Sequence, residues 1–164
     1  MTARILIAGV GNLFLGDDGF GPEVVRHLLA GPPLPPGAHA TDYGIRGVHL
    51  TYDLLDPWDA LIMIDALPAM ESPGELVVLE ISADTGPLRP VDAHGMDPMA
   101  TLAAVTRLGG TLPPSYLVGC RINAAGESIG LSAAVTAAVP QAAHIVRTLA
   151  SRLAQKAAAT TGRP

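Results

Sequence analysis

The sequence predicts an α/β fold in which a mostly parallel sheet is covered by helices on both faces. Short apolar runs at residues 5–8 and 60–64 are typical of strands that are buried on both faces. Elsewhere along the chain, apolar residues recur at spacings of three and four, as expected for helices that pack on one face. Alternation of these two patterns is typical of parallel strands joined by helical crossovers.

The composition indicates one globular domain spanning residues 1–164. The chain is 49% hydrophobic and 15% charged, and its formal net charge is −5, so we expect no binding to nucleic acid or to an anionic membrane. The only cysteine, Cys120, cannot form an intrachain disulfide, which favours a cytoplasmic location. Residues 128–146 contain no Asp, Glu, Lys or Arg, but Pro140 and the excess of alanine over leucine argue against a transmembrane segment.

The amino-terminal stretch predicts a strand, a glycine turn, an acidic loop and a helix, in that order. Gly9 and Gly11 follow the strand at residues 5–8 and permit a tight turn where a Cβ atom would clash. Two adjacent carboxylates, Asp17 and Asp18, come next. Because open α/β sheets bind ligands beyond the carboxyl ends of their strands, these acids lie where a site is expected. The apolar face of the following helix contains Gly21, Val24, Val25, Leu28 and Leu29.

The middle of the chain predicts three further strands. Residues 38–43 form the second strand, and a short helix is expected at residues 49–55. The third strand, at residues 60–64, is apolar throughout and leads directly into Asp65, which we expect to be partly buried. Residues 76–81 form the fourth strand.

The carboxy-terminal part predicts two helices on either side of a fifth strand at residues 115–120. Asp97 is placed as the N-cap of the first helix, because a proline follows it at the first helical position. The last helix begins near Ser132, and Pro140 is expected to kink it or to divide it in two. Residues 155–164 are predicted to form a frayed tail.

The predicted topology brings several candidate metal ligands to one edge of the sheet. Right-handed crossovers place strands one and three side by side, with strand two outside strand one. One acid of the first loop, Asp17 or Asp18, then faces the crevice between these strands, and Asp65 lies at the end of strand three. His94 precedes a helix and could converge on the same point.

Other chemistries fit the sequence less well. A dinucleotide fingerprint would need a third glycine where Phe14 follows Gly9 and Gly11. The chain contains neither an H-E-x-x-H zinc motif nor a G-x-S-x-G nucleophile elbow. Cys120 lies in an apolar strand and is interpreted as an inert core residue.

Several motifs together resemble the hydrogenase maturation proteases, the endopeptidases that trim the large subunit of nickel–iron hydrogenases. The resemblance covers nearly the whole chain, and its first motif is specific in combination with the isolated Asp65 and His94. The motifs are Gly9-Val10-Gly11-Asn12, Asp17-Asp18-Gly19-Phe20-Gly21, Asp42-Tyr43-Gly44-Ile45-Arg46-Gly47, Ile64-Asp65-Ala66, Asp92-Ala93-His94-Gly95-Met96, Val118-Gly119-Cys120 and Ile129-Gly130-Leu131-Ser132.

The resemblance implies both a fold and a site. The fold would be a three-layer αβα sandwich with a five-stranded sheet. The metal ligands of the family match Asp18, Asp65 and His94, and in these residues catalysis and metal binding cannot be separated. The family often has Glu at the position of Asp18, and the shorter reach of Asp could alter the geometry slightly.

The resemblance also implies a substrate. It would be the precursor of a [NiFe] hydrogenase large subunit, already loaded with nickel, from which the enzyme removes a carboxy-terminal extension. The nickel would arrive with the precursor, so we expect no permanently bound cofactor. The alternative hypothesis is a non-catalytic chaperone or checkpoint that binds the metal-loaded precursor. A nucleotide-binding enzyme is a weaker third hypothesis.

The turn after the second strand is a candidate substrate contact. Its glycines leave the backbone open, so an extended peptide from the precursor could pair with its N–H and C=O groups. The alternative is an ordinary surface turn. The residues of this turn are Gly44, Ile45, Arg46 and Gly47.

Overall fold

The computed structural model describes residues 2–68, 71–82, 84–85, 97–123 and 128–162. Its strands are β1 (Ile5–Val10), β2 (Ala38–Gly44), β3 (Ala60–Pro68), β4 (Leu76–Ile81) and β5 (Ser115–Ile122). Its helices are α1 (Phe20–Ala30), α2 (Gly47–Asp53), α3 (Pro98–Arg107) and α4 (Ala133–Thr161), and a single 3-10 turn at Gly16–Gly19 precedes α1.

The described strands form one five-stranded sheet in the order β2-β1-β3-β5-β4. The pairs β1–β2, β1–β3 and β3–β5 are parallel, whereas β4 runs antiparallel to β5 at the edge. The predicted α/β fold with a mostly parallel sheet is therefore confirmed, as is the position of strand one between strands two and three.

Helices cover both faces of this sheet, because the side chains of β1 and β3 alternate between two apolar cores. On one face, Ile5 and Ile7 pack with α1 and α4. On the other face, Leu6 and Met63 pack with α2 and α3. This arrangement has the three layers that the family resemblance implied.

Helix α4 differs from its prediction in two respects. Pro140 lies inside it, yet the helix is continuous, so the predicted division is wrong. The lost backbone hydrogen bond costs about 3 kcal/mol, but buried residues on both sides of the proline, including Val135 and Val146, hold the two halves against one core. The helix also continues to Thr161, so the frayed tail predicted from residue 155 is wrong over residues 155–161. Within the described residues, no helix is long and apolar enough to cross a membrane.

Smaller corrections concern the ends of elements around the site. Strand β3 extends to Pro68, so Asp65 lies within the strand rather than at its end. Helix α2 begins at Gly47, two residues earlier than predicted. The N-cap at Asp97 is confirmed, since its Oδ1 accepts a hydrogen bond of 3.0 Å from the Met99 N–H.

Candidate active site

Glycines bring the amino end of α1 into direct contact with the carboxyl end of β1 and the middle of β3. A Cβ atom added to Gly21 would lie 2.3 Å from the carbonyl oxygen of Val10 and 2.4 Å from that of Ile64. Gly11 has a φ of +142°, and a Cβ there would lie 2.0 Å from the Asp18 carbonyl oxygen. No larger side chain fits at either position, so the acidic loop is held tightly against the edge where β1 ends.

Asp18 is the buried acid of this loop. Its side chain lies in the 3-10 turn, and the residue is only 2% exposed. Its Oδ2 accepts a hydrogen bond of 2.8 Å from the backbone N–H of Asn12. Burial of a carboxylate is costly unless it is compensated by donors or by a cation, so Asp18 is not an acid of a solvated turn.

Asp65 is fully buried in the neighbouring strand. Its Oδ1 accepts a hydrogen bond of 2.8 Å from the Ala66 N–H. In the pairing of β1 with β3, Gly9 lies opposite Ile64, the residue before Asp65. The structure therefore brings Asp18 and Asp65 to the same carboxyl edge, as the sequence predicted, and Asp65 is more deeply buried than expected.

The third predicted ligand, His94, lies outside the described residues, and its role stays a prediction. In the part of the chain that the structure describes, no three His, Cys, Asp or Glu residues form a group that could hold a metal ion. Two carboxylates supply oxygen ligands only, and such a pair fits a divalent metal that receives further ligands from elsewhere.

Asp17, the other acid of the loop, has a different role from Asp18. Its carboxylate accepts two hydrogen bonds from Ser132, one of 2.6 Å from the backbone N–H and one of 2.8 Å from the hydroxyl Oγ. The neighbouring Gly16 N–H donates to the Ser128 carbonyl at 2.6 Å. We call this set of three hydrogen bonds the loop clamp, because it ties the acidic loop to the segment that leads into α4. Sequence reasoning found no partner for Asp17.

The turn after β2 is beside the acidic loop, but its backbone is less open than predicted. The Gly44 N–H donates to Asp42 Oδ1 at 2.8 Å, and the Gly44 carbonyl accepts from the Gly11 N–H at 2.9 Å. Arg46 donates from its side chain to the carbonyls of Tyr43 and Asp42, at 3.1 and 2.6 Å. These groups stabilise the turn itself. The expectation that Gly44 offers a free backbone N–H is therefore wrong, and the turn's most accessible apolar group is Ile45, which is 58% exposed.

Cys120 is confirmed as a core residue. It is fully buried in β5, and its burial together with the nearby charge of Asp17 raises the pKa of the thiol to about 11. The thiol is therefore protonated at neutral pH, whereas a nucleophilic cysteine needs a lowered pKa.

The sheet order and the acid pair define an α/β protein with a carboxylate site at the carboxyl edge of its central strands. Residues 22–149 match the family model for hydrogenase maturation proteases. The chain thus belongs to the hydrogenase maturation protease family, whose members are endopeptidases.

Individual relatives agree with this assignment. The hydrogenase 2 maturation protease of Escherichia coli is 31% identical over 145 residues, which cover 85% of this chain and 85% of the relative. The hydrogenase-maturating endopeptidase HybD of E. coli superposes with a TM-score of 0.71 at 27% identity, over 87% of this chain and 89% of that structure. A further relative, the coenzyme F420 hydrogenase subunit delta of Methanothermobacter thermautotrophicus, is 27% identical over 88% of this chain and 92% of its own length.

Proposed function

We propose that the protein is the endopeptidase that removes the carboxy-terminal extension from the precursor of a [NiFe] hydrogenase large subunit. The observation that carries this proposal is the buried acid pair, Asp18 and Asp65, at the edge of the sheet of a hydrogenase maturation protease. Buried carboxylates at this position are suited to a metal ion that is brought by the substrate.

The proposed ligands of the precursor's nickel are Asp18, Asp65 and His94. Two carboxylates and one imidazole leave coordination positions open, which the precursor's own ligands can fill. With the nickel held between the two proteins, the scissile peptide bond is fixed beside the acid pair. Correct placement of a peptide bond lowers its barrier to hydrolysis, and a metal there can also polarise the carbonyl or lower the pKa of a bound water.

The proposal is tested by incubating the purified protein with nickel-loaded and nickel-free precursor and separating the products by mass. We expect cleavage of the loaded precursor only, and loss of cleavage in Asp18→Asn, Asp65→Asn and His94→Ala. The Asn variants keep an acceptor oxygen for the Asn12 and Ala66 N–H groups, so their circular dichroism spectra and unfolding midpoints should match or exceed those of the wild type. Equal cleavage of both precursors would remove nickel recognition from the proposal.

The turn of Gly44, Ile45, Arg46 and Gly47 is proposed as a contact for the precursor peptide, through the exposed Ile45 side chain. The same assay tests this contact with Ile45→Ser, which leaves the backbone hydrogen bonds of the turn in place. Gly44→Val is a poorer probe, because Gly44 has a φ of +54° and valine would strain the backbone there.

A non-catalytic checkpoint is the alternative function. It is favoured by one observation, the relative that is described as a hydrogenase subunit. A checkpoint would form a lasting complex with the precursor and release no peptide. Co-purification of the two proteins without any shortened large subunit would support this alternative.

A further inference from the structure

A mainly apolar groove with a volume of about 570 Å³ lies beside the acidic loop. Gly16 and Gly19, the two ends of the 3-10 turn that carries Asp17 and Asp18, both line it. Apolar side chains from the α4 side, among them Leu131 and Val139, form much of the remaining wall. The groove thus shares the 3-10 turn with Asp18, although neither Asp18 nor Asp65 lines it. Its volume lies within the range of pockets that bind small molecules.

The groove carries little net charge. Three ionisable residues of α1 line it: Glu23, Arg26 and His27. Glu23 and Arg26 form an ion pair at 2.9 Å and neutralise each other, and His27 is counted as neutral in the formal charge at pH 7. The chain as a whole has a formal net charge of −5. A neutral, mainly apolar groove in an acidic protein favours an apolar ligand over a cationic or anionic one.

Ile129 at the edge of the groove is held in an exposed position by the rest of the structure. It is 81% exposed, the largest exposed fraction among the described large hydrophobic residues. The loop clamp fixes the residues around it, since Ser128 and Ser132 are hydrogen-bonded to Gly16 and Asp17. Leu13, which also lines the groove, is 46% exposed. Two apolar side chains are thus preorganised for a contact that the folded chain does not itself supply.

We propose that this groove is a specificity subsite that takes an apolar side chain of the precursor, next to the peptide bond that is cleaved. The inference rests on the proposed function, because the peptide is expected to pass the acid pair, and the turn that carries Asp18 also lines the groove through Gly16 and Gly19. Burial of the substrate side chain against Ile129 and Leu13 selects apolar residues on one side of the cut.

The kinetic test compares Ile129→Ser with Leu108→Ser on the nickel-loaded precursor. In Ile129→Ser, kcat/KM should fall on the order of tenfold, mainly through KM, because a lost apolar contact in a pocket changes kcat/KM by about 10–200-fold. Leu108 is 55% exposed at the end of α3, away from the groove, and its variant should match the wild type. Equal kcat/KM in wild type and Ile129→Ser would overturn the subsite.

A binding test separates the subsite from the proposed function. Protein with labelled isoleucine methyl groups is titrated with a synthetic peptide that spans the cleavage point of the precursor, and with a second peptide whose apolar residues are replaced by serine. In methyl NMR spectra, we expect the chemical shift of the Ile129 methyl group to change saturably with the first peptide and not with the second. This result together with no cleavage by the wild type would refute the proposed function and leave the subsite standing. Cleavage by the wild type without any chemical-shift change at Ile129 would support the proposed function and refute the subsite.

A second copy of the chain is the competing occupant of the groove. In that case the chemical shift of the Ile129 methyl group would change with protein concentration in the absence of peptide. Light scattering would show a dimer for the wild type and a monomer for Ile129→Ser. This outcome would also overturn the subsite.

Discussion

Removal of the Asp17 side chain should break the hydrogen bonds between the acidic loop and the start of α4 and so lower the stability of the protein. In Asp17→Ala, the Ser132 N–H and Oγ–H lose an acceptor at 2.6 and 2.8 Å. Ser132 is the N-cap of α4, but its hydroxyl makes no capping bond to the helix and donates to Asp17 instead. The Asp17 carboxylate is therefore the negative group at this helix terminus, where the helix dipole also favours an acid.

The expected loss of stability follows from these contacts. A hydrogen bond to a charged group contributes about 1.5–3 kcal/mol, and the half-exposed position of Asp17 reduces the effect through solvent screening. We therefore expect Asp17→Ala to lower the free energy of unfolding by about 2 kcal/mol, which corresponds to a fall in Tm of about 4–8 °C for a chain of this size. Asp17→Asn keeps an acceptor oxygen and should lose less than about 1 kcal/mol, and we expect it to retain most activity.

A double-mutant cycle, with each free energy of unfolding measured in urea, gives the coupling energy between the side chains of Asp17 and Ser132. The cycle consists of wild type, Asp17→Ala, Ser132→Ala and the double variant, and the hydroxyl bond predicts a coupling energy of about 1 kcal/mol. Asp56→Ala is the matched control, because Asp56 is exposed and its side chain makes no hydrogen bond or ion pair within the described residues; it should change stability by less than about 0.5 kcal/mol. If Asp17→Ala were as stable as wild type, or the coupling were zero, the loop clamp would contribute nothing. If Asp17→Asn lost all cleavage while Asp18→Asn kept it, the two acids would have been assigned the wrong roles.

Two further predictions concern close packing and burial. Gly21→Ala should abolish cleavage and lower the unfolding free energy by more than about 3 kcal/mol, because its Cβ would meet the carbonyls of Val10 and Ile64. Gly162→Ala is the control, because its Cβ would come no closer than 3.4 Å to other atoms. This variant should leave cleavage and the unfolding free energy unchanged. Cys120 should resist thiol reagents at pH 8 in the folded protein, and Cys120→Ala should retain cleavage. Because the pKa of the folded thiol is raised from 9.0 to about 11, the unfolded chain releases this proton first as the pH rises. Its contribution to stability is complete below about pH 9 and is lost towards pH 11; urea unfolding at pH 8 and pH 10 should show this loss in wild type and not in Cys120→Ala.

The sequence was sufficient to predict five strands, a mostly parallel sheet and the order of its first three strands, but not that β4 pairs antiparallel with β5 at the edge. Continuous apolar runs identify β1 and β3, and the rules for crossover connections then determine which strands are neighbours. Asp65 follows from the same reasoning, because residues at the carboxyl ends of adjacent parallel strands lie at one edge, although β3 continues past it to Pro68. For the acidic loop this reasoning left Asp17 and Asp18 open, and the family resemblance selected Asp18, which is the more buried of the two.

The contacts between distant segments could not be predicted in this way. The bonds from Asp17 to Ser132 join residues 115 positions apart, and neither residue carries a local signal for the other. The hydrogen bond from the Gly11 N–H to the Gly44 carbonyl also joins residues that are distant in sequence and carry no local signal for each other. The predicted end of α4 was too early, because residues 155–161 were assigned to a frayed tail, whereas the helix runs to Thr161 and Ala157 packs against the core.

The loop clamp has a consequence for the synthesis of the protein. The ribosome produces the acidic loop more than 100 residues before its anchor at Ser132, since the two bonded residues are 115 positions apart, and before the helix α4 that covers one face of β1 and β3. Contacts of such long sequence separation form late, since the chain entropy of a large loop must be lost before they are gained. The nascent chain therefore carries Asp18 long before it holds that residue in place. The acidic loop can be fixed against α4 only after the chain has been synthesised beyond Ser132.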